Sequence, residues 1–168
     1  MTKYTKENAR RRFFSAGEVR AILAGSLRKF RVPISRPNRC SLYPVGSYLW
    51  VPERWRPLHF TEHGDIQVHY EIDGATKWEM LDDRFDPDGE KFNDWWAATS
   101  DVYRKSGLFD DEGNYIVPPC DVIKWRSPVA MPRCLSRITL EIMYYRLTYF
   151  RTKNGNEWFH CYYFRVVQ

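Results

Sequence analysis

Apolar and polar residues alternate most regularly in the last third of the chain. Alternation with a period of two is typical of half-buried strands, so the pattern predicts a strand over Ile138 to Ile142 and a hairpin with strands Tyr144 to Lys153 and Asn156 to Val167. Asn154-Gly155 is the preferred two-residue type I′ turn between such strands. This turn predicts the cross-strand pairs Phe150 with Phe159, Thr148 with Cys161, and Leu147 with Tyr162.

A short helix is predicted near the N-terminus. Ser15 followed by Glu18 matches a capping box, in which each side chain satisfies a free backbone N–H of the other residue. The apolar residues that follow fall on one helical face, and Gly25 stands where a helix would stop. The helix therefore covers residues 16–24, and the polar, basic residues 1–12 form a flexible arm.

The segment after this helix is dense in cations and is interrupted by Pro33 and Pro37. Proline removes a backbone donor and fixes φ, so residues 26–39 are predicted to form an extended basic loop. Further strands are predicted over Tyr48 to Val51 and over Ile66 to Ile72, the second closed by an Asp73-Gly74 turn.

Residues 77–114 carry aromatic side chains scattered among carboxylates. Within them, Trp95 to Tyr103 is the best candidate for a helix. This mixture favours an acidic, aromatic-rich insertion that lies over the rest of the domain.

The length of 168 residues suits one domain, 1–168, which buries enough surface to fold without a metal or a disulfide. No apolar run approaches the roughly 20 residues that span a bilayer, and the N-terminus lacks the pattern of a secretory signal, so a soluble, cytoplasmic protein without membrane contact is expected. The four cysteines form no C-x-x-C pair, which favours reduced thiols. His59 and His63 are bracketed by Pro57 and Gly64, so no metal or cofactor is expected there.

Charge is distributed unevenly along the chain. Residues 1–39 hold eleven Lys or Arg against two Glu, whereas residues 61–117 hold fifteen Asp or Glu against five Lys or Arg. A basic end and an acidic middle suggest a surface that faces a polyanion and a separate acidic flank. Two solvated faces without a partner remain the alternative.

Four patches, in the same order as in the family, resemble the ASCH domain, a PUA-like β-barrel family common in bacteriophages. The most specific is K-W-R-S-P-V-A-M-P-R-C-L-S-R-I-T-L-E-I at residues 124–142, which is close to the family segment K-W-R-P-S-I-H-M-P-R-W-A-S-R-I-T-L-E-V. The others are F-F-S-A-G-E-V-R-A-I-L-A-G at 13–25, V-G-S-Y-L-W-V-P-E-R-W at 45–55, and the closing N-E-W-F-H-C-Y-Y-F-R-V-V. The match leaves out residues 56–123.

This resemblance implies an α+β fold, a small PUA-like β-barrel with one N-terminal helix. It also implies a cleft that handles RNA or modified nucleosides, because some family members hydrolyse N4-acetylcytidine and ribonuclease activity is described for another. The hydrolytic members carry a G-x-K-T-x-T-x-R loop after the first helix, whose Lys and second Thr would supply the base or the nucleophile.

The corresponding loop here, starting at Gly25, lacks those groups. A gapless match places Leu27 at the Lys position and Phe30 at the second Thr position, and neither side chain can take a proton or attack a carbonyl. A two-residue slip brings Lys29 into place but leaves Arg31 and Val32 where hydroxyls should stand. The helical insert that relatives carry after the S-R-I-T-L-E strand is also missing, which counts against hydrolysis.

Binding chemistry is what remains. Cations on the basic loop suit phosphates, tryptophans suit stacked bases, and Glu53 suits an exocyclic amine or an ion pair with Arg54 or Arg133. The tryptophans are equally suited to the core. The candidate nucleic-acid-binding residues are Arg28, Lys29, Arg31, Trp50, Glu53, Arg54, Trp55, Lys124, Trp125, Arg126, Arg133 and Arg137, with Arg36 and Arg39 further along the basic loop. Lys29 and Glu53 are the weak catalytic candidates.

Three hypotheses follow. The first is a phage-type ASCH protein that binds RNA or a nucleotide and has lost hydrolytic competence. The second is a hydrolase acting on N4-acetylcytidine or RNA through replaced groups. The third is a phage accessory protein whose aromatic insertion binds a host protein, since exposed aromatics mark interfaces. The sequence leaves the oligomeric state open.

Overall fold

The computed structural model describes residues 5–34, 41–81, 85–106, 122–153 and 155–167. Its backbone divides into two compact units. The first, here called the hairpin unit, is Met1–Val51 with Arg137–Gln168, and the second, the central unit, is Pro52–Ser136. Each unit contains one α-helix and one β-sheet, so the described part of the chain has an α+β architecture.

The hairpin unit holds a five-stranded sheet in the order β1-β3-β7-β8-β2. The strands are β1 (Arg10–Arg11), β2 (Lys29–Pro33), β3 (Tyr48–Trp50), β7 (Thr139–Thr152) and β8 (Gly155–Val167). The long β7–β8 hairpin forms the centre of this sheet, and all pairings except that of β1 with β3 are antiparallel.

Helix α1 (Ala16–Leu23) confirms the prediction from the capping box. The Ser15 side chain accepts a hydrogen bond from the Glu18 N–H, and the Glu18 carboxylate accepts one from the Ser15 N–H at 2.8 Å. Gly25 follows the helix with φ +71°, a left-handed backbone conformation that residues with a side chain rarely adopt.

The predicted basic loop is wrong for its first half, because residues 29–33 form strand β2. This strand pairs with β8 from Lys29 opposite Tyr163 to Pro33 opposite Phe159. It lies at the edge of the sheet, and Pro33 is its last residue, which is where a strand tolerates proline. Residues 35–40, which include Arg36 and Arg39, lie outside the described residues.

The β7–β8 hairpin is confirmed, but its predicted register is wrong by two residues. Phe150 lies opposite Glu157, Thr148 opposite Phe159, and Leu147 opposite His160, and the pairing ends with Thr152 opposite Gly155. Asn154 of the predicted turn lies outside the described residues. Within residues 144–152 the shift is even, so these side chains keep the relative faces that alternation predicts, whereas a bulge between Ile142 and Tyr144 places those two residues on opposite faces.

The core of the hairpin unit lies on one face of its sheet. Leu140, Ile142 and Tyr162 are fully buried there, and Val19 and Ile22 of α1 are buried residues of the same unit. Phe30 stacks on Tyr162 with ring centroids 5.1 Å apart. On the opposite face Lys29, Arg31 and Tyr144 are exposed, whereas Trp50 and Cys161 are buried.

The central unit holds a three-stranded antiparallel sheet, β4-β5-β6, and helix α2. The elements are β4 (Trp55–Phe60), β5 (Asp65–Tyr70), β6 (Thr76–Met80) and α2 (Glu90–Lys105). Strand β5 and helix α2 confirm the predicted strand and helix, with different bounds. Residues 77–80, expected in the insertion, belong to β6 instead, and residues 107–114 lie outside the described residues.

The buried cluster of the central unit includes Trp55, Val68, Tyr70 and Leu135, with Phe92 and Trp95 of α2 packed against it. Both sheets are open in the described ranges, so the closed barrel that the resemblance implies is not formed by these strands. Among the described residues, no helix has the length and apolar character needed to cross a bilayer.

Candidate nucleic-acid interface

Strand β2 presents its cations to solvent because its residues alternate between the core and the surface. Phe30 is only 5% exposed and points into the core, whereas Lys29 and Arg31 are exposed. Successive side chains of a strand point to opposite faces, so Lys29 and Arg31 project from the same face of the sheet. Two of the predicted binding residues are thus brought together.

The neighbouring strands add aromatic rings and a further cation to this face. Lys29 lies opposite Tyr163 on β8, which lies opposite Tyr144 on β7. In the next row, Arg31 and Arg146 flank Cys161 from the two sides. We call this surface the cationic face; it consists of Lys29, Arg31, Tyr144, Arg146, Phe150 and Tyr163.

Rings and cations contact each other across the cationic face. Tyr144 and Tyr163 stack with centroids 4.3 Å apart and planes 11° from parallel. The Arg31 guanidinium carbon lies 4.2 Å from the centroid of Phe150, and that of Arg146 lies 5.6 Å from the centroid of Tyr163. These contacts hold the side chains in place without neutralising their charge.

The charges of the cationic face have no carboxylate partner within the described part of the chain. Other exposed arginines do: Arg165 pairs with Glu141 at 2.7 Å and Arg54 pairs with Glu71 at 2.8 Å. By contrast, no described carboxylate forms an ion pair with Lys29, Arg31 or Arg146. The side chains of all three cations are exposed.

The remaining predicted residues of the hairpin unit have other surroundings. Arg28 donates from Nε to the Gly25 carbonyl at 3.0 Å, and its own carbonyl accepts from the Phe164 N–H. Trp50 is 6% exposed and its ring lies under Arg11, so it is a core residue and no base platform. Arg137 is half-buried next to the start of β7.

In the central unit, Trp55 is fully buried and lies under the Arg126 guanidinium at 5.3 Å from its ring centroid. Arg126 also lies 4.5 Å from the Trp95 centroid, and burial lowers its pKa from the ordinary value. A base has no access to the Trp55 ring. Arg126 and Trp55 therefore contribute to the packing of the central unit.

Glu53 is 3% exposed, and its N–H donates to the Met131 sulfur at 3.3 Å. Arg54, which was a predicted ion-pair partner of Glu53, pairs with Glu71 instead. Lys124 is exposed, and Arg133 is half-buried in a short 3₁₀ turn, Arg133–Leu135.

Trp125 is the predicted aromatic that stays partly exposed, and it covers a cluster that the sequence did not indicate. The Arg56 guanidinium carbon lies 4.1 Å from the Trp125 centroid, and the His69 ring lies 4.9 Å from it. Arg56 is 3% exposed and donates from Nε to Nδ1 of His69 at 3.1 Å and from Nη1 to the Ile123 carbonyl at 3.0 Å.

Because Nδ1 of His69 accepts this hydrogen bond, the imidazole must be neutral with its proton on Nε2. Burial is the main cause that lowers the pKa of His69, and the positive charge of Arg56 lowers it further. Burial also lowers the pKa of His59 and of His160. The structure thus favours the neutral form of all three imidazoles.

Sequence reasoning missed Tyr144, Arg146, Phe150 and Tyr163 of the cationic face, although it placed all four on the predicted hairpin. Two signals in the sequence could have identified them: the alternation of the hairpin strands and the Lys29-Phe30-Arg31 pattern of a strand. If residues 29–31 are taken as a strand beside the hairpin, its two cations fall on the face that carries these four residues. Arg56 had no comparable signal, since its cluster depends on contacts with distant segments.

Within the described ranges, no group of three or more His, Cys, Asp or Glu side chains is placed to hold a metal ion. Cys161 is a buried free thiol and Cys134 is half-buried, while Cys40 and Cys120 lie outside the described residues. In comparisons with known proteins, no family model, no curated protein and no solved structure matches the chain.

Proposed function

We propose that this protein binds single-stranded RNA through the cationic face of its five-stranded sheet. The observation that carries the proposal is that three exposed cations, Lys29, Arg31 and Arg146, share one face with the stacked Tyr144 and Tyr163. Cations that track a phosphate backbone, interleaved with aromatic rings on which bases stack, are the shared chemistry of single-strand binding surfaces.

Single-stranded rather than duplex RNA suits this geometry. Tyr144 is 52% exposed, so its ring is accessible to a base. A base can stack on the ring only when it is splayed out of a helix. In a duplex the bases are stacked on each other, and only the phosphates would meet the three cations. A duplex would therefore lose the stacking contribution, which is about 1–3 kcal/mol for each base.

The resemblance to the ASCH domain supports the same substrate class, since that family is associated with RNA and modified nucleosides. A PUA-like relationship and a bacteriophage origin are part of this proposal. Leu27 and Phe30 stand where hydrolytic members carry Lys and Thr, and Phe30 is buried in the core. The proposal is therefore binding without hydrolysis.

The test is a binding measurement with a single-stranded RNA of about ten nucleotides, within the usual site size of such surfaces. The variant Lys29→Ala/Arg31→Ala/Arg146→Ala removes the three cations that lack a described carboxylate partner. We expect its affinity to fall about tenfold or more, because phosphate contacts supply most of the binding free energy. Fluorescence anisotropy with a labelled RNA measures the change.

The matched control is Arg20→Ala/Arg104→Ala/Lys105→Ala, which removes the same three charges from exposed positions of α1 and α2. It should bind RNA nearly as the unmodified protein does. Equal losses in the two triple variants would mean that net charge alone governs binding, and the assignment to the cationic face would be abandoned.

A second candidate function, protein binding, is favoured by the surface of the central unit. A cleft of about 320 Å³ is lined by Met80, Phe92 and Trp96 together with Glu62 and Asp86. Met80 is 58% exposed and Trp78, two residues earlier on β6, is 48% exposed. Apolar side chains beside carboxylates suit a partner with apolar and basic residues.

Deleting residues 77–114 would remove strand β6, so point variants test this candidate better. Met80→Glu/Trp96→Ala alters the cleft without shortening the sheet. Loss of a co-purifying protein in this variant, with RNA affinity unchanged, would support the second candidate independently of the first. An unchanged set of co-purifying proteins would reject it.

A further inference from the structure

The Arg56 guanidinium is buried, and in the part of the chain that the structure describes it forms no ion pair with a carboxylate. It is 3% exposed, and its two hydrogen-bond acceptors, His69 Nδ1 and the Ile123 carbonyl, are both neutral. A buried charge is costly unless an opposite charge or several hydrogen bonds compensate it, so an anion bound at Arg56 would stabilise this arrangement.

The unused donors of Arg56 have the right form for a phosphate. A guanidinium carries five N–H donors, of which one at Nε and one at Nη1 are used here. Three N–H groups on the two terminal nitrogens have no acceptor in the described ranges. Two neighbouring terminal N–H groups form a planar fork that matches two oxygens of one phosphate.

The surroundings of Arg56 supply an aromatic platform. Lys124 and Arg126 flank Trp125 in sequence, and Trp55 and Arg126 exchange backbone hydrogen bonds at 3.3 and 2.7 Å, which ties this segment to β4. Trp125 lies over both Arg56 and His69 and is partly exposed. Its remaining ring surface contacts no other described aromatic ring and can stack a planar base.

We propose that Arg56 and Trp125 form a mononucleotide site, in which the terminal nitrogens of Arg56 bind the phosphate and the outer face of Trp125 stacks the base. The site lies in the central unit and shares no residue with the cationic face. It extends the proposed nucleic-acid function to free nucleotides or strand ends but does not depend on that function, so either proposal can fail alone.

Titration calorimetry at constant ionic strength tests the site with three probes: uridine 5′-monophosphate, inorganic phosphate and uridine. We expect the monophosphate to bind about tenfold tighter than phosphate, because only it adds a stacked base, and uridine to bind weakest. Equal affinities for phosphate and the monophosphate would show that Trp125 does not stack the base. Absence of heat with all three probes would overturn the proposal.

Two variants separate binding from folding. Arg56→Met keeps much of the side-chain volume and should abolish binding of the monophosphate, whereas Arg56→Lys keeps the charge but loses the fork and should weaken it about tenfold. Arg54→Met is the matched control, because Arg54 is exposed and already paired with Glu71. Monophosphate binding that is unchanged in Arg56→Lys and Arg56→Met would contradict the assignment.

A spectroscopic readout on the unmodified protein covers the case in which Arg56→Met does not fold. The positive charge of Arg56 lowers the pKa of His69, so a bound phosphate should raise that pKa by neutralising the charge. NMR titration of the His69 ring with and without inorganic phosphate measures this. A pKa that phosphate does not move would show that no anion binds at Arg56.

Discussion

Arginine lies over aromatic rings in both units, but the rings have opposite surroundings. In the central unit, Arg126 covers Trp55, which is fully buried. In the hairpin unit, Arg146 lies over Tyr163, which is half-buried and stacks on Tyr144, a side chain that is 52% exposed. The same pair of residue types therefore stabilises a core in one unit and leaves rings and charges open to a ligand in the other.

The difference comes from the position of each ring on its sheet. Trp55 belongs to the buried cluster that includes Met131 and Leu135, and the Arg126 guanidinium lies over its ring. Tyr163 points away from the core of its own unit, because it alternates with the buried Tyr162 and Phe164, and its cross-strand partner Tyr144 lies on the same face. The burial of the ring, more than the residue types, therefore decides which of the two roles an arginine–aromatic pair takes.

The largest expected effect is on stability. Trp55→Ala should lower the free energy of unfolding by about 3–5 kcal/mol, because it opens a large cavity in the core of the central unit. Tyr144→Ala should lower it by less than about 1 kcal/mol, since that ring is exposed. Urea denaturation measures both values. Similar losses of unfolding free energy in the two variants would contradict the difference in burial between the two rings.

The next effect is on RNA affinity. Tyr144→Ala should weaken binding of single-stranded RNA by about 1–3 kcal/mol, the contribution of one stacked base, or about 5- to 150-fold. Tyr144→Phe keeps the ring and should bind nearly as the unmodified protein does. If Tyr144→Ala binds with unchanged affinity, the tyrosine pair does not stack a base.

A smaller effect concerns tyrosine hydroxyls. Tyr70 is fully buried and its hydroxyl donates to the Leu135 carbonyl at 2.8 Å, so Tyr70→Phe should cost about 1 kcal/mol of stability. The matched change at an exposed ring, Tyr144→Phe, should leave the free energy of unfolding unchanged. Thermal or urea unfolding of the two single variants makes the comparison. A Tyr70→Phe protein as stable as its parent would contradict the assigned hydrogen bond.

The smallest effect is a pH dependence of stability. Burial lowers the pKa of His59, His69 and His160 below the value of about 6.5 that an unfolded chain has. Between the two pKa values the unfolded chain binds more protons, so stability is fully present above pH ~6.5 and declines as the pH falls below it. Unfolding followed from pH 7.5 to 5.5 measures the decline. Stability that rises over that range on acidification would reverse the sign and contradict it.

Local signals in the sequence predicted the elements whose determinants are also local. The Ser15–Glu18 capping box marked α1, and alternation marked β5 and the β7–β8 hairpin. Strand β2 was missed because Pro33 is typical of a loop, although at the last residue of an edge strand it removes no interior hydrogen bond. The predicted register of the hairpin was wrong by two residues because the position of the turn was inferred from residue preference alone.

The candidate site was predictable only in part for the same reason. Lys29 and Arg31 were identified from charge, whereas Tyr144 and Arg146 join them only through strand pairing between segments more than 100 residues apart. The burial of Trp50 and Trp55 could not be told from their residue type, because tryptophan serves both cores and binding surfaces. Arg56 depends on Ile123 and His69, which lie in other segments.

The salt dependence of RNA binding tests the cationic face most directly. Each phosphate contact on a single strand contributes about 0.7 to the slope of log affinity against log salt concentration. If Lys29, Arg31 and Arg146 each contact one phosphate, the slope of the unmodified protein should be steeper by about 2 than that of the Lys29→Ala/Arg31→Ala/Arg146→Ala variant. Equal slopes for the two proteins would show that these cations do not contact RNA phosphates and would contradict the account.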